Sequence, residues 1–362
     1  MEKNKRVLMA MSGGIDSSVS AILLKEQGYD IIGATFRTFD NITESCIARE
    51  KGCCSIDSIM EAKHLAEQLG FEHHILDVRK KFRETVIKNF IDEYLQSRTP
   101  NPCVICNPVI KWGLLFDMAN EFGCDYLATG HYARIGNQNG RYFLQRGKDT
   151  AKDQSYFLWK IPQNLLSRTL FPLGHLTKME VREIAAQHGF IKLSQKKESE
   201  EICFIPNNDY RSFLIDEVPN IDELHKPGNF VSTDGRILGT QNGLYNYTIG
   251  QRKGLGIALG EPAYVVALRK DSNEVVLGNK LDLMSNSLYV SDINMMKYPS
   301  VSNNMEVTCR IRYRNKGALA HLFTEDDRIR VDFAEPVESV TPGQSAVFYE
   351  GDDLIGGGII SG

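Results

Sequence analysis

Apolar positions in the first two hundred residues follow two alternating rhythms. Residues 6–11 form a short apolar run, 17–27 are helical in period and stop at Gly28, and 30–38 are rich in β-branched residues. A helix is predicted over 57–69, with Ile59, Ala62, Ala66 and Leu69 on one side, then a strand over 73–78 and a long helix through Tyr94. Beyond a proline-bracketed loop at 99–112 the pattern predicts a helix to Phe122 and a strand over 125–129. Such alternation implies a parallel sheet with helices on both faces. After Phe213 the texture changes: KPGNFVSTDGRILGTQNGLYNYTIGQRKGLG sets glycine turns between short strands, and no long amphipathic helix reappears. That pattern predicts small barrels. The expected class is α/β, with a doubly wound parallel-sheet domain over 1–207 and two small β-rich, barrel-like domains over 208–280 and 281–362. No fixed-period repeat is visible, which excludes a solenoid.

Length and composition agree with this division. At 362 residues the chain exceeds the usual size of one core, so two or three domains are expected. Apolar content of 42% and charged content of 24% are those of an ordinary soluble protein. The 42 basic and 46 acidic residues leave a net charge of −4, which neither demands nor excludes nucleic acid. The opening MEKNKRVLMAMSGG has too short an apolar run for a secretion signal, and no later stretch approaches a bilayer span, so a cytoplasmic protein without membrane contact is expected. In a reducing compartment the eight cysteines should mostly be thiols, and paired spacing points to metal or catalysis before disulfides.

The strongest local signal is Ser12-Gly13-Gly14-Ile15-Asp16-Ser17, where the first strand meets the first helix. Ligands of doubly wound sheets bind above the carboxyl ends of strands. Two glycines let several N–H groups converge on one anion, and the helix N-terminus adds roughly half a positive charge. Ser12 and Ser17 can add hydroxyls. Asp16 is unusual in an anion site and is read as a magnesium or loop-ordering group; the plainer alternative makes Asp16 or Ser17 the N-cap of an ordinary turn. The Walker spacing fails because Ala34 and Thr35 follow Gly33, and Gly254-Leu255-Gly256 breaks the dinucleotide spacing. SGGIDS resembles the PP-loop of the N-type ATP pyrophosphatases, which hold ATP by its pyrophosphate and adenylate a substrate oxygen. Amidating ligases share that loop and remain the competing enzyme reading. A nucleic-acid-binding module on the β-domains is the non-enzymatic one.

MSGGIDSSVSAILLKEQGY, RTPNPCVICN, ATGHYAR, KDQSYFL, EICFI, TIGQRKGLGI and FAEPVESVTPGQSAVFYEGDDLIGGGII run along nearly the whole chain. Together they resemble the bacterial tRNA-specific 2-thiouridylases of MnmA type. The resemblance implies ATP-dependent replacement of the C2 oxygen of uridine 34, the wobble position of tRNAs for Lys, Glu and Gln, by way of an adenylated uridine. It makes Cys106 the nucleophile and Cys203 the carrier of persulfide sulfur, chemistry that thiolates perform near neutral pH. From the residues alone, Cys203 between Ile202 and Phe204 is equally a buried strand residue.

The same resemblance surrounds ATP with Ala10, Met11, Ser12, Gly13, Gly14, Ile15, Asp16 and Ser17, sets Phe36 beside the adenine, and lets Gly130 close the pocket. Asn101, Pro102 and Cys103 fall where a flipped-out base is held. His131, Lys152, Asp153, Gln154, Arg312, Tyr313 and Gln344 match tRNA contacts, although a lone His131 is also a satisfied loop histidine. RIRYRNKG (310–317) interleaves cations with a tyrosine, as phosphate contact and stacking require, and solvated strand edges look the same. A persulfide or sulfide donor protein and a monomeric state are further expectations.

Two segments depart from the family. Many members carry aspartate where this chain has Cys103, so an expected acid or base is missing beside the reacting base. Cys103, Cys106 and Cys203 then become candidate ligands of an iron-sulfur cluster, with zinc a lesser option. The loop from Glu44-Ser45-Cys46 to Cys53-Cys54-Ser55 is either a surface loop with inert thiols or a metal or sulfur-relay site.

Overall fold

The computed structural model describes residues 5–39, 56–195, 202–205, 208–257, 260 and 262–361. Cys46, Cys53, Cys54, Lys196 and Lys197 lie outside the described residues. The chain divides into two compact units, one of 1–87, 103–208 and 352–355, the other of 88–102, 209–351 and 356–362.

The first unit contains strands β1 (Arg6–Ala10), β2 (Asp30–Arg37), β3 (Glu72–Asp77), β4 (Tyr126–Ala128), β5 (Ala133–Gln138), β6 (Arg141–Arg146) and β7 (Thr169–Leu170). Five of them form a parallel sheet in the order β3-β2-β1-β4-β7, with Leu8 between Ile32 and Leu127. Val7, Leu8 and Met9 are all fully buried, because a central parallel strand is covered on both faces and reads as a continuous apolar run. On one face α1 (Ile15–Glu26) and α2 (Ile56–Leu69) bring Ala21, Leu24, Ala62 and Leu65 onto Val7 and Met9. The helix Leu115–Glu121 packs against β1 and β4. Strand order reverses at β1, which opens a crevice between the carboxyl ends of β1 and β4.

Three local expectations change. The long helix through Tyr94 is divided into Arg79–Phe82, a π-helical stretch Arg83–Ile87, and Lys88–Leu95. The cysteine segment is helical rather than a loop: an α-helical turn at Pro102–Cys106 runs into a π-helix at Asn107–Leu114. Pro108 has no N–H to give the carbonyl of Val104, which removes one α-helical bond and favours the wider register. The hairpin β5–β6 is an addition, turned at Asn139 and Gly140, whose φ angles are 52° and 82°.

In the second unit a short helix, Tyr210–Glu217, is capped by Asp209 and precedes β8 (Gly228–Ser232), β9 (Ile237–Gln241), β10 (Tyr264–Arg269) and β11 (Glu274–Gly278). These strands pair in the order β10-β11-β8-β9 around Phe230, Val265, Val275 and Leu277. Then β12 (Met284–Met295), β13 (Met305–Arg310), β14 (Ala318–Glu325), β15 (Arg328–Glu338), β16 (Ser345–Glu350) and β17 (Asp353–Ile360) close a barrel, with β17 returning to β12. Closure leaves the six strands no open edge. The class is thus the expected one, a doubly wound sheet followed by β-rich domains.

Candidate active site

β1 ends at Ala10 and α1 starts at Ile15, so the chain turns within four residues. The N–H of Met11 donates to Ala34 O at 2.7 Å. Gly13 has φ +68°, and a Cβ there would stand 2.1 Å from Ser58 O, so only glycine fits. Gly14 is the N-cap, in extended conformation, and no side chain caps the helix. The alternative of Asp16 or Ser17 as N-cap therefore gives way. Ser17 accepts from the N–H of Ser12 at 3.1 Å and donates to Gly14 O at 3.1 Å, while Ser18 donates to Gly14 O at 2.9 Å. These hydroxyls knot the loop to itself and leave the first N–H groups of α1 without a side-chain acceptor, as an anion cradle needs. Ile15 turns inward to Val19 and Tyr132, and Phe36, near the end of β2, is half-buried.

Asp16 is held from two sides. Lys178 Nζ donates to its Oδ1 at 2.8 Å and Oδ2 at 2.9 Å, and the Tyr132 hydroxyl donates to Oδ1 at 2.7 Å. Gly130 lies against the same turn, where a Cβ would be 2.8 Å from both Asp16 C and Ser17 N. Of the two roles expected, these contacts make Asp16 a loop-ordering group.

After β4 the chain runs through Thr129, Gly130 and His131. Thr129 Oγ1 lies 2.8 Å from His131 Nδ1, and Lys111 Nζ lies 3.3 Å from Nε2. Burial, with the Lys111 charge beside it, holds His131 well below the usual histidine range. The ring is therefore neutral near pH 7. Because an ammonium can only donate, Nε2 is the acceptor and Nδ1–H donates to Thr129. Trp112, fully buried, donates Nε1–H to Thr169 Oγ1 at 3.0 Å and fixes the π-helix to β7. Asn107, also buried, donates to Phe157 O at 2.8 Å.

Accessibility sorts the described cysteines. Cys103 and Cys203 are exposed and Cys106 is half-buried, whereas Cys124 and Cys309 are buried. Burial pushes the Cys124 thiol up to about 11 and raises that of Cys309 as well, so neither supplies a thiolate near neutral pH. The buried-strand alternative for Cys203 is corrected: the residue stands in a turn, and its neighbours Phe204 and Ile205 fill the core instead, Phe204 edge-on to Phe82. Among the described residues no three His, Cys, Asp or Glu side chains are grouped to hold a metal ion.

Several residues expected at tRNA have internal work. Asp153 is buried and accepts from the N–H groups of Gly147 and Ser155 and from the Ser155 hydroxyl at 3.0–3.2 Å. Gln154 Oε1 accepts from the N–H of Tyr132 at 3.0 Å; Lys152 is half-buried. Within the second unit, Gln344 Nε2 donates to Thr99 O and Pro100 O at 3.0 Å, fixing the stretch that leads to Asn101 and Pro102. Arg312 Nη2 donates to Ile249 O, Ser339 O and Thr341 Oγ1, and Arg310 is bonded to the carbonyls of Asn315 and Tyr313. Tyr313 is half-buried, and the exposed cations of this stretch are Arg314 and Lys316.

Residues 5–207 match the family model described as tRNA methyl transferase HUP domain, 218–279 the tRNA methyl transferase PRC-barrel domain, and 285–360 the aminomethyltransferase β-barrel domain. The tRNA-specific 2-thiouridylase MnmA of Amoebophilus asiaticus is 53% identical over 99% of this chain and 96% of its own length. The chain belongs to the tRNA-specific 2-thiouridylase family. Further 2-thiouridylases agree over similar lengths: that of Cytophaga hutchinsonii is 49% identical over 99% of this chain and 98% of its own, and that of Salinibacter ruber 48% over 99% and 95%. Membership makes the crevice above β1 and β4 the place to look for 2-thiouridylase chemistry. Sequence reasoning had overlooked three residues there: Lys111, Tyr132 and Lys178. Tyr132 lies inside the quoted ATGHYAR and Lys111 within the proline-bracketed segment 99–112, but their partners are 116 and 20 residues away. No local pattern marks Lys178; only its place at the start of a helix packed on α1 brings it to Asp16.

Proposed function

We propose that this chain is an ATP-dependent tRNA-uridine 2-sulfurtransferase acting on wobble uridine 34 of tRNAs for Lys, Glu and Gln. The observation that carries the reading is full-length identity of about half to relatives named for that activity. The uncapped N-terminus of α1 supports the ATP part, since its N–H groups suit the phosphates and Gly130 walls the turn. Phe36 borders the adenine in this reading.

In the proposed reaction the O2 of uracil attacks the α-phosphorus of ATP and diphosphate leaves, giving an O-adenylated uridine. Cys203 carries sulfur as a persulfide received from a donor protein. The Cys106 thiolate attacks the inner sulfur of that persulfide, forming a Cys106–Cys203 disulfide and releasing hydrosulfide. Hydrosulfide adds at C2, AMP leaves, and a thiol reductant returns the disulfide to two thiols. The exposure of Cys203 suits exchange with a donor protein. Asn101, Pro102 and Cys103 take the flipped base, and Lys152, Gln154, His131, Tyr313, Arg312 and Gln344 border the RNA, the last two as braces of the surface that meets it. No described helix is long and apolar enough to cross a membrane. A cytoplasmic monomer fits this substrate.

The test is formation of AMP and 2-thiouridine from wobble-uridine tRNA, ATP and a persulfide donor, with Cys106→Ser and Cys203→Ser alongside the unaltered chain. Thiolation lost in both variants is expected. Thiolation retained in both overturns the cysteine assignment, and turnover that depends on ammonia or an amino acid makes the chain an amidating ligase.

A further inference from the structure

Asp16 sits in the first turn of α1, where N–H groups and the helix dipole favour an anion. A lone carboxylate there would repel a triphosphate and compete for the same donors. Lys178 answers that charge. Its Nζ reaches both oxygens of Asp16, it is almost wholly buried, and it lies 5.8 Å from the Tyr132 ring centroid, whose hydroxyl joins the same carboxylate.

The lysine is also held from behind. It is the first residue of the helix Lys178–Gln187, which carries a capping box between Thr177 and Glu180. Its own N–H donates to Asp149 Oδ2 at 2.9 Å, and Glu180 is further tied to Lys148 at 2.8 Å. Val181 and Ala185 then pack with Ile15 and Val19 of α1, so the two helices meet as a rigid pair. Lys178 is buried while the Asp16 carboxylate is about a third exposed; an ion pair of this kind adds little net stability, so one built this firmly is better explained by what it orders.

We propose that Lys178 is the positioning residue of the phosphate loop: it fixes Asp16 and cancels its charge, so that α1 offers its N–H groups to the phosphates of ATP. The inference rests on the ATP reading above. Binding of ATP to the purified full chain tests it without any thiolation assay. Lys178→Met should weaken ATP by about tenfold to a hundredfold and leave tRNA affinity unchanged, since it strands a charge in the anion site. Lys178→Arg should recover binding to within a few-fold. The double variant Asp16→Asn/Lys178→Met should bind ATP more tightly than Lys178→Met, because no unpaired charge remains. If Lys178→Met does not fold, the double variant carries the test, with ATP binding within about tenfold of the unaltered chain expected and loss of binding refuting the proposal. Equal ATP affinity in Lys178→Met and the unaltered chain, or a double variant as weak as the single, also overturns it. An unaltered chain that binds no ATP removes the ATP reading itself, a separate outcome.

Discussion

Adding one methyl group at Gly130 tests whether the segment after β4 sets the position of the phosphate loop. The new Cβ would stand 2.8 Å from Asp16 C and from Ser17 N, and 3.0 Å from Asp16 O. Carbon contacts are comfortable at about 3.5–4.0 Å, so the two segments must part by more than half an ångström. The atoms in the way are backbone in the first turn of α1, which cannot rotate aside as a flexible side chain would. Overpacking of this kind costs about 1–3 kcal/mol, or on the order of 2–10 °C in melting temperature for a unit of this size. The same displacement moves the N–H groups of α1 relative to the phosphates, and misplacement of about 1 Å costs roughly a hundredfold in rate. Gly130→Ala should therefore lower kcat/KM for ATP by about tenfold or more, read from AMP release at varied ATP and saturating tRNA. Gly140→Ala is the control: it has φ +82° and nothing within 4 Å of its Cβ, so it bears backbone strain without a collision. It should melt lower and keep normal ATP kinetics. A Gly130→Ala chain with unaltered ATP kinetics and melting would refute the reasoning.

Two further outcomes follow from the same neighbourhood. His131 has its protonation depressed in the folded chain, so below about pH 6.5 the unfolded chain takes a proton that the folded one refuses, and stability falls as pH falls. Relative to His131→Gln, the unaltered chain should lose up to about 1.4 kcal/mol per pH unit between pH 6 and 5, and parallel denaturation curves across that window would contradict the assignment. Asp153→Ala removes the acceptor of three internal hydrogen bonds and should destabilise the chain by about 2–4 kcal/mol in denaturant titrations. Unchanged stability with weakened tRNA binding would return Asp153 to the RNA contact expected from sequence.

The alternating strands and helices were legible because a central parallel strand such as Val7-Leu8-Met9 leaves an apolar run that no surface element mimics. The phosphate loop was legible for a similar local reason, since its glycines, serines and following helix are adjacent in the chain. The β5–β6 hairpin is legible too, for Asn139-Gly140 is a strong turn signal. What sequence could not show is charge pairing over distance. Asp16 looks like a metal ligand as long as Lys178, 162 residues on, is out of view. Asp153 looks like a polar contact until Gly147 and Ser155 close around it.

The cysteine segment sets its two thiols beside a change of helical register. On an α-helical turn, Cys103 and Cys106 are three positions apart and share a face, while Val104 between them is fully buried. Both thiols therefore look the same way, one exposed and one half-buried, and neither is a core residue. One residue later the helix widens, and Asn107 and Trp112 are clamped by Phe157 and Thr169, so Cys106 sits directly before a fixed continuation. In the proposed reaction, where Cys106 is the nucleophile, that placement anchors its backbone on one side while its thiol stays partly accessible. Cys103, one turn earlier, is the more exposed of the two. The CxxC spacing makes the two cysteines look equivalent; Pro108, with its missing N–H, favours the change from the α-helical turn that carries both to the π-helix that begins beside Cys106.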